Sequence, residues 1–189
     1  MQGLLNNSRI LNSSIFGAGG SNIKSIQRGL SSIAADGTSQ SIAVSSVDPS
    51  TSILLIDIYP NSNNSQIAQF FVRAKLNSAT SILAYRGESH TVTAEFTWQL
   101  IEFEPKFVKS VQRGTVLDPV SGELSIAISA VNTGKAMAFA NFSTLFANST
   151  SFSQMGFGVE LRNSTTLVIP RHGDYNRNRT FEWQVIEFK

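Results

Sequence analysis

Phe96-Thr97-Trp98-Gln99-Leu100-Ile101-Glu102-Phe103 returns 85 residues later as Phe181-Glu182-Trp183-Gln184-Val185-Ile186-Glu187-Phe188, and each version holds one of the two tryptophans of the chain. Working outward, Ile23-Lys24-Ser25-Ile26-Gln27-Arg28-Gly29 returns as Val108-Lys109-Ser110-Val111-Gln112-Arg113-Gly114, again 85 apart. Between them, Ser41 to Asp48 returns as Ser125 to Asn132 at an offset of 84. One residue is lost and regained in Gly-, Ser- and Asn-rich loops, where length changes are tolerated. A self-similarity of this period means a duplicated structural unit.

The repeat divides the chain into an arm (1–22), copy one (23–103), a joint of Glu104-Pro105-Lys106, and copy two (107–189). Three residues span only about 10 Å at about 3.5 Å each, so the copies are expected side by side, and Pro105 stiffens the joint.

Each copy reads as β. Short runs of β-branched and aromatic residues alternate with Gly, Asn, Ser and Asp clusters. In copy one this predicts strands near 23–29, 41–47, 52–59, 67–76, 80–86 and 91–103, with counterparts in copy two and no helix. In the closing strand Phe96, Trp98 and Leu100 share one face while Ile101 and Phe103 lie on the other. A strand apolar on both faces is expected at the centre of its sheet. The expected fold is all-β: two tandem small antiparallel β-sandwiches of about six strands, preceded by an extended N-terminal arm.

Composition narrows the function. The 189 residues include 27 Ser, 14 Asn and 13 Thr, only 15% charged residues, no cysteine and a net charge of +2. Nothing supplies the basic excess that grips a phosphate backbone, so no nucleic-acid partner is expected. Without cysteine there are no disulfides, thiolate metal sites or thiol nucleophile. No apolar run is long enough for a membrane helix. Met1 to Phe16 lacks the basic start of a signal peptide, which predicts a chain beginning at Met1.

Candidate residues fall into four groups. Trp98, Phe103, Trp183 and Phe188, at matching places in the most apolar strand, are expected core anchors, with each indole N–H requiring an acceptor. Lys24 and Arg28 with Glu102, and Lys109 and Arg113 with Glu187, are candidate ion pairs, the two cations of each set sharing one strand face. Glu102 and Glu187 lie in different copies and do not make a glycosidase pair. His90 and His172 read as solvated loop residues without metal-ligand spacing. Gly17 to Gly20 is a hinge lacking phosphate-loop spacing, and no serine sits in a nucleophile elbow. No catalytic residue, cofactor or metal is expected. In the arm, Leu4, Leu5, Ile10, Leu11, Ile15 and Phe16 form apolar pairs of neither strand nor helix period, either a disordered tail or a segment that orders on docking. Arg171, Arg177 and Arg179 with Tyr175 form the one basic concentration, a surface turn or a recognition patch.

The motifs I/V-K-S-I/V-Q-R-G and F-x-W-Q-L/V-I-E-F resemble a repeat of small virion proteins of tailed bacteriophages, of decoration, tail or fibre type. The resemblance covers residues 23–103 and 107–188. It implies a virion structural protein assembled in the bacterial host cytoplasm, with other virion proteins as partners and no catalytic residues to carry over. Copy two departs where Leu117-Asp118-Pro119-Val120 stands for Ile33-Ala34-Ala35-Asp36. Two similar faces per chain suggest a homo-oligomer, a trimer presenting six pseudo-equivalent copies. The alternative is a host-surface glycan-binding module using Tyr59, Tyr85, Tyr175 and the arginines.

Overall fold

A computed structural model describes residues 22–59, 67–118, 123–144, 158–170 and 179–189. Copy one contributes β1 (Ile23–Ile33), β2 (Ser39–Ala43), β3 (Ser52–Tyr59), β4 (Val72–Ser78), β5 (Ser81–Arg86) and β6 (Ala94–Phe103). Copy two contributes β7 (Val108–Asp118), β8 (Leu124–Ala127), β9 (Ala136–Thr144), β10 (Glu160–Asn163), β11 (Thr166–Ile169) and β12 (Arg179–Phe188). Every pairing is antiparallel, in sheets ordered β1-β6-β3 and β2-β5-β4, then β7-β12-β9 and β8-β11-β10. The fold is all-β, and the six strands of the second copy repeat the order of the first.

The doubly apolar closing strands β6 and β12 are the central strands of their sheets. Their inward residues fill the space between the two sheets. In copy one Leu54, Phe96, Trp98 and Leu100 meet Val72, Ala74, Ile82 and Ala84. In copy two Val185 and half-buried Trp183 meet Leu167, Ile128 and Val131. Trp98 donates its indole N–H to Ser31 Oγ at 3.1 Å.

Four strands differ from expectation. β1 runs past the expected 29 to Ile33, paired along its length with β6. After Ala43 the chain leaves the ladder, because the N–H groups of Val44 and Val47 donate to the carbonyls of Thr80 and Ala79 in the β4–β5 turn. Copy two repeats this with Ile128 and Val131 onto Thr165 and Ser164. Residues Ile67–Phe70 form a 3₁₀ turn, so β4 begins only at Val72. The closing strand starts at Ala94, since 91–93 belong to a loop held by buried Arg86, which donates to the carbonyls of Ala34, Gly37, His90 and Val92. His90 is buried beside it, against the expectation of a solvated residue, and burial with the Arg86 charge lowers its pKa.

At the joint, Phe107 N–H closes onto Glu104 C=O at 2.9 Å. The copies then meet along two apolar seams. Ile53 of copy one is buried with Val108 and Ile186 of copy two, beside a Phe103–Phe188 edge contact with ring centroids 5.4 Å apart. At the other end Phe71 of copy one packs on Phe142, which in turn packs on Phe181.

Candidate interface faces of the two copies

The opening and closing motifs form one device. In copy one Glu102, buried beneath the sandwich end, accepts from Lys24 Nζ at 2.9 Å, Ser25 Oγ at 3.1 Å and Asp48 N–H at 2.9 Å. Asp48 caps the 3₁₀ turn Pro49–Thr51 by accepting from Ser50 N–H. Copy two builds the same hub from Glu187, Lys109, Ser110 and Asn132. Gln27 clamps Ser45 through both its amide atoms, as Gln112 clamps Ser129.

The arginines do not join these hubs. A β-bulge between Ile23 and Ser25 turns Lys24 towards Glu102, so Lys24 and Arg28 do not share a face. Arg28 instead lies on the outer face beside Gln99, with Nε 3.3 Å from its Oε1. Arg113, its counterpart, donates to Ser52 C=O across the copies.

The hubs carry a pH signature. Burial by itself raises the Glu102 carboxyl, but its hydrogen bonds from Lys24, Asp48 N–H and Ser25 outweigh that and hold it below the usual 4.5. Glu187 is lowered in turn by Asn132 N–H and then by Lys109. A carboxyl depressed in the folded state contributes stability that is whole above the unfolded value and is lost as pH falls through the folded one. Melting temperature is therefore expected to fall as pH drops below the ordinary glutamate range. Glu102→Gln/Glu187→Gln should be less stable at neutral pH and flatten that slope; an unchanged slope in thermal melts from about pH 6 to about pH 3 refutes the assignment.

Between the copies the chemistry is directional. Leu54 on the edge strand β3 exchanges two hydrogen bonds with the side-chain amide of Gln184, its N–H donating to Oε1 at 3.0 Å and its C=O accepting from Nε2 at 2.6 Å. Ala74 N–H on edge strand β4 donates to Asn141 Oδ1 at 2.7 Å. Arg73 reaches Glu182 at 2.9 Å and donates to Ser143 Oγ at 3.0 Å, while Thr115 Oγ1 donates to the other Glu182 oxygen at 2.7 Å. Copy one thus offers sheet edges, and copy two receives them on the outer face of β7-β12-β9. The side chains end the unpaired backbone of edges that otherwise invite further strands.

The equivalent positions of the other copy are more exposed. Gln184 is 5% exposed, whereas Gln99 is exposed on β6. Ile53 is 4% exposed; Met137, at its place on β9, is 52% exposed. Leu30, 62% exposed, stands on the outer face of β1 in register with Thr97.

The remaining candidates are placed as follows. Trp98 is a core residue, while Phe103 and Phe188 line the seam between copies. Arg179 is not part of a surface patch: it opens β12, is buried, and pairs with Asp118 at 3.2 Å. The Tyr85 ring is covered by the Arg73 guanidinium 4.4 Å from its centroid, which removes that face from sugar stacking. Tyr59 lies at the end of β3. Arg171, His172, Tyr175, Arg177, the hinge Gly17 to Gly20 and the arm residues Leu4, Leu5, Ile10, Leu11, Ile15 and Phe16 lie outside the described residues. The likeness of the motifs does not reveal Arg73, Glu182 and Asn141; the signal in the sequence is the mismatch Thr97/Glu182 inside the closing motif.

These faces define a duplicated β-sandwich protein with a built, one-directional inter-copy contact. Comparison with protein-family models, curated proteins and solved structures finds no match.

Proposed function

We propose that this chain is a non-enzymatic structural component of a bacteriophage virion, a decoration or tail-associated protein that assembles as a homo-oligomer and docks on the particle partly through residues 1–22. The observation that carries the reading is the contact between the copies. Gln184, Asn141, Arg73 and Glu182 convert sheet edges and a sheet face into a fixed joint, which suits a building block whose task is geometric. The low-charge, hydroxyl- and amide-rich composition and the two repeat motifs fit the same setting. Three chains would present six pseudo-equivalent copies to a six-fold or quasi-six-fold lattice.

Labelling the protein on intact particles tests the setting. Deletion of 1–22 is expected to abolish attachment while leaving the β-rich circular dichroism spectrum and melting temperature of the sandwiches unchanged. Undiminished attachment refutes the docking role, and saturable binding on a glycan array would favour a host-surface recognition module instead.

A further inference from the structure

Apart from Phe103 against its own counterpart Phe188, the intrachain contact is heterologous: one patch of copy one meets a different patch of copy two. Because the copies share one fold, the donor patch exists again on copy two and the acceptor patch again on copy one, and their apolar residues Met137, Ile23 and Ile101 line one cavity beside the internal seam. We infer that a second copy of this chain covers both patches, with β9 of one chain seated on the outer face of β1-β6-β3 of the next, so that the internal joint is repeated between chains.

The ladder registers fix the equivalences. Leu54 opposes Leu100 as Ala138 opposes Val185, and Ser52 opposes Glu102 as Ala136 opposes Glu187. Gln99 stands for Gln184 and Arg28 for Arg113. The Gln99 amide then takes Ala138 N–H and C=O of the neighbouring chain, and Arg28 takes Ala136 C=O. In the internal joint Ile53 is buried by Val108 and Ile186; between chains Met137 would be buried by Ile23 and Ile101, both only half-buried in the single chain. A large apolar side chain more than half exposed on one patch, and an uncovered amide on the matching one, are what each loses on docking.

The two joints differ at one point. Leu76 opposes Ile82 as Leu161 opposes Leu167, which sets Gly158 where copy one has Arg73, while Thr97 stands for Glu182. Both charges of the Arg73–Glu182 pair are replaced together, so neither is left without its opposite at the chain-to-chain joint. That joint is the weaker of the two, and separate chains can exchange there. A heterologous contact continues until it closes into a ring or runs on as a filament; closure at three chains gives the six copies proposed above. The inference deepens the oligomer part of that reading and needs no phage particle for its test.

The chain has no cysteine, so introduced thiols are the only ones present. Gly158 tolerates a side chain, since a Cβ there would lie 3.5 Å from Pro170, an ordinary contact. Full-length Gly158→Cys and Thr97→Cys proteins, treated with a short bis-maleimide, are each expected to stay uncrosslinked alone, to give covalent dimers when mixed, and as the double variant to give a ladder. Met137→Glu should weaken association in sedimentation velocity by roughly tenfold or more, with an unchanged melting temperature in dilute solution. A single variant that links to itself would show a two-fold symmetric contact and overturn the inference. So would a ladder-free double variant, a wild-type chain that remains monomeric at millimolar concentration, or association that Met137→Glu leaves intact.

Discussion

Gly29→Ala is expected to destabilise the protein by about 1–3 kcal/mol, and Gly29→Val by more. At about 2–4 °C per kcal/mol for a chain of this size, the loss is plain in a thermal melt. Gly29 lies in register with Trp98, and the indole lies flat over its backbone. A Cβ built at Gly29 would stand 2.6 Å from Trp98 Cζ2, 2.7 Å from Cε2 and 2.8 Å from Nε1. These are ring atoms of a core side chain, 8% exposed, so the indole cannot swing away without opening the sandwich. Gly114 and Trp183 repeat the geometry at 2.6 Å. Trp98→Phe removes the crowding atoms, and the cost of Gly29→Ala should shrink in that background, giving a coupling energy of about 0.5–3 kcal/mol. A neutral Gly29→Ala, or equal costs in both backgrounds, would show that the glycine is kept for another reason.

This pairing explains why the two motifs were visible in the sequence and what their likeness concealed. Lys24, Ser25, Gln27 and Gly29 each meet a partner inside their own copy: Glu102, Ser45 or Trp98. Such residues must recur together, and they make the repeat legible. Strand alternation placed the closing strands at sheet centres for the same reason, since both faces of β6 and β12 are needed. What a repeat cannot announce is how its copies differ in use. Gln99 and Gln184 are one letter in one motif, yet one faces solvent and the other holds the edge of β3. The motif is silent on that because the difference arises from a neighbour, not from the local strand.

The misread arginines have equally local causes. Period-two alternation put Lys24 and Arg28 on one face, but the bulge at Ile23/Ser25 offsets the count by one. Arg179 is close to Arg171 and Arg177 in sequence, whereas the ladder already includes Arg179 opposite Asp118 and Thr144. The sequence comparison likewise set Asp118 against Ala34. The register instead pairs Asp118 with Arg179 as Ile33 pairs with Ala94, and with that shift the apparent loop divergence becomes a substitution inside the core.

That substitution gives the second large effect. At one structural position copy one buries Ile33 with Ala94, both 0% exposed, and copy two buries Asp118 with Arg179, their side chains each 5% exposed. The same sandwich therefore accepts an apolar pair or an ion pair. Asp118→Ala removes the carboxylate that pairs with the Arg179 guanidinium, which lies 5.5 Å from the Phe181 ring centroid in a buried setting, and the expected loss is about 3–5 kcal/mol because one partner of a buried ion pair is taken away. Asp118→Ile/Arg179→Ala writes the copy-one pair into copy two. Since desolvation of two ions offsets most of their attraction, an apolar pair of this kind is expected to recover most of the single-variant loss. Urea unfolding of the wild type, both single variants and the double variant closes the cycle. A double variant whose loss equals the sum of the singles would mean that the ion pair supplies stability the apolar pair cannot, and that the two copies solve this position by different physics.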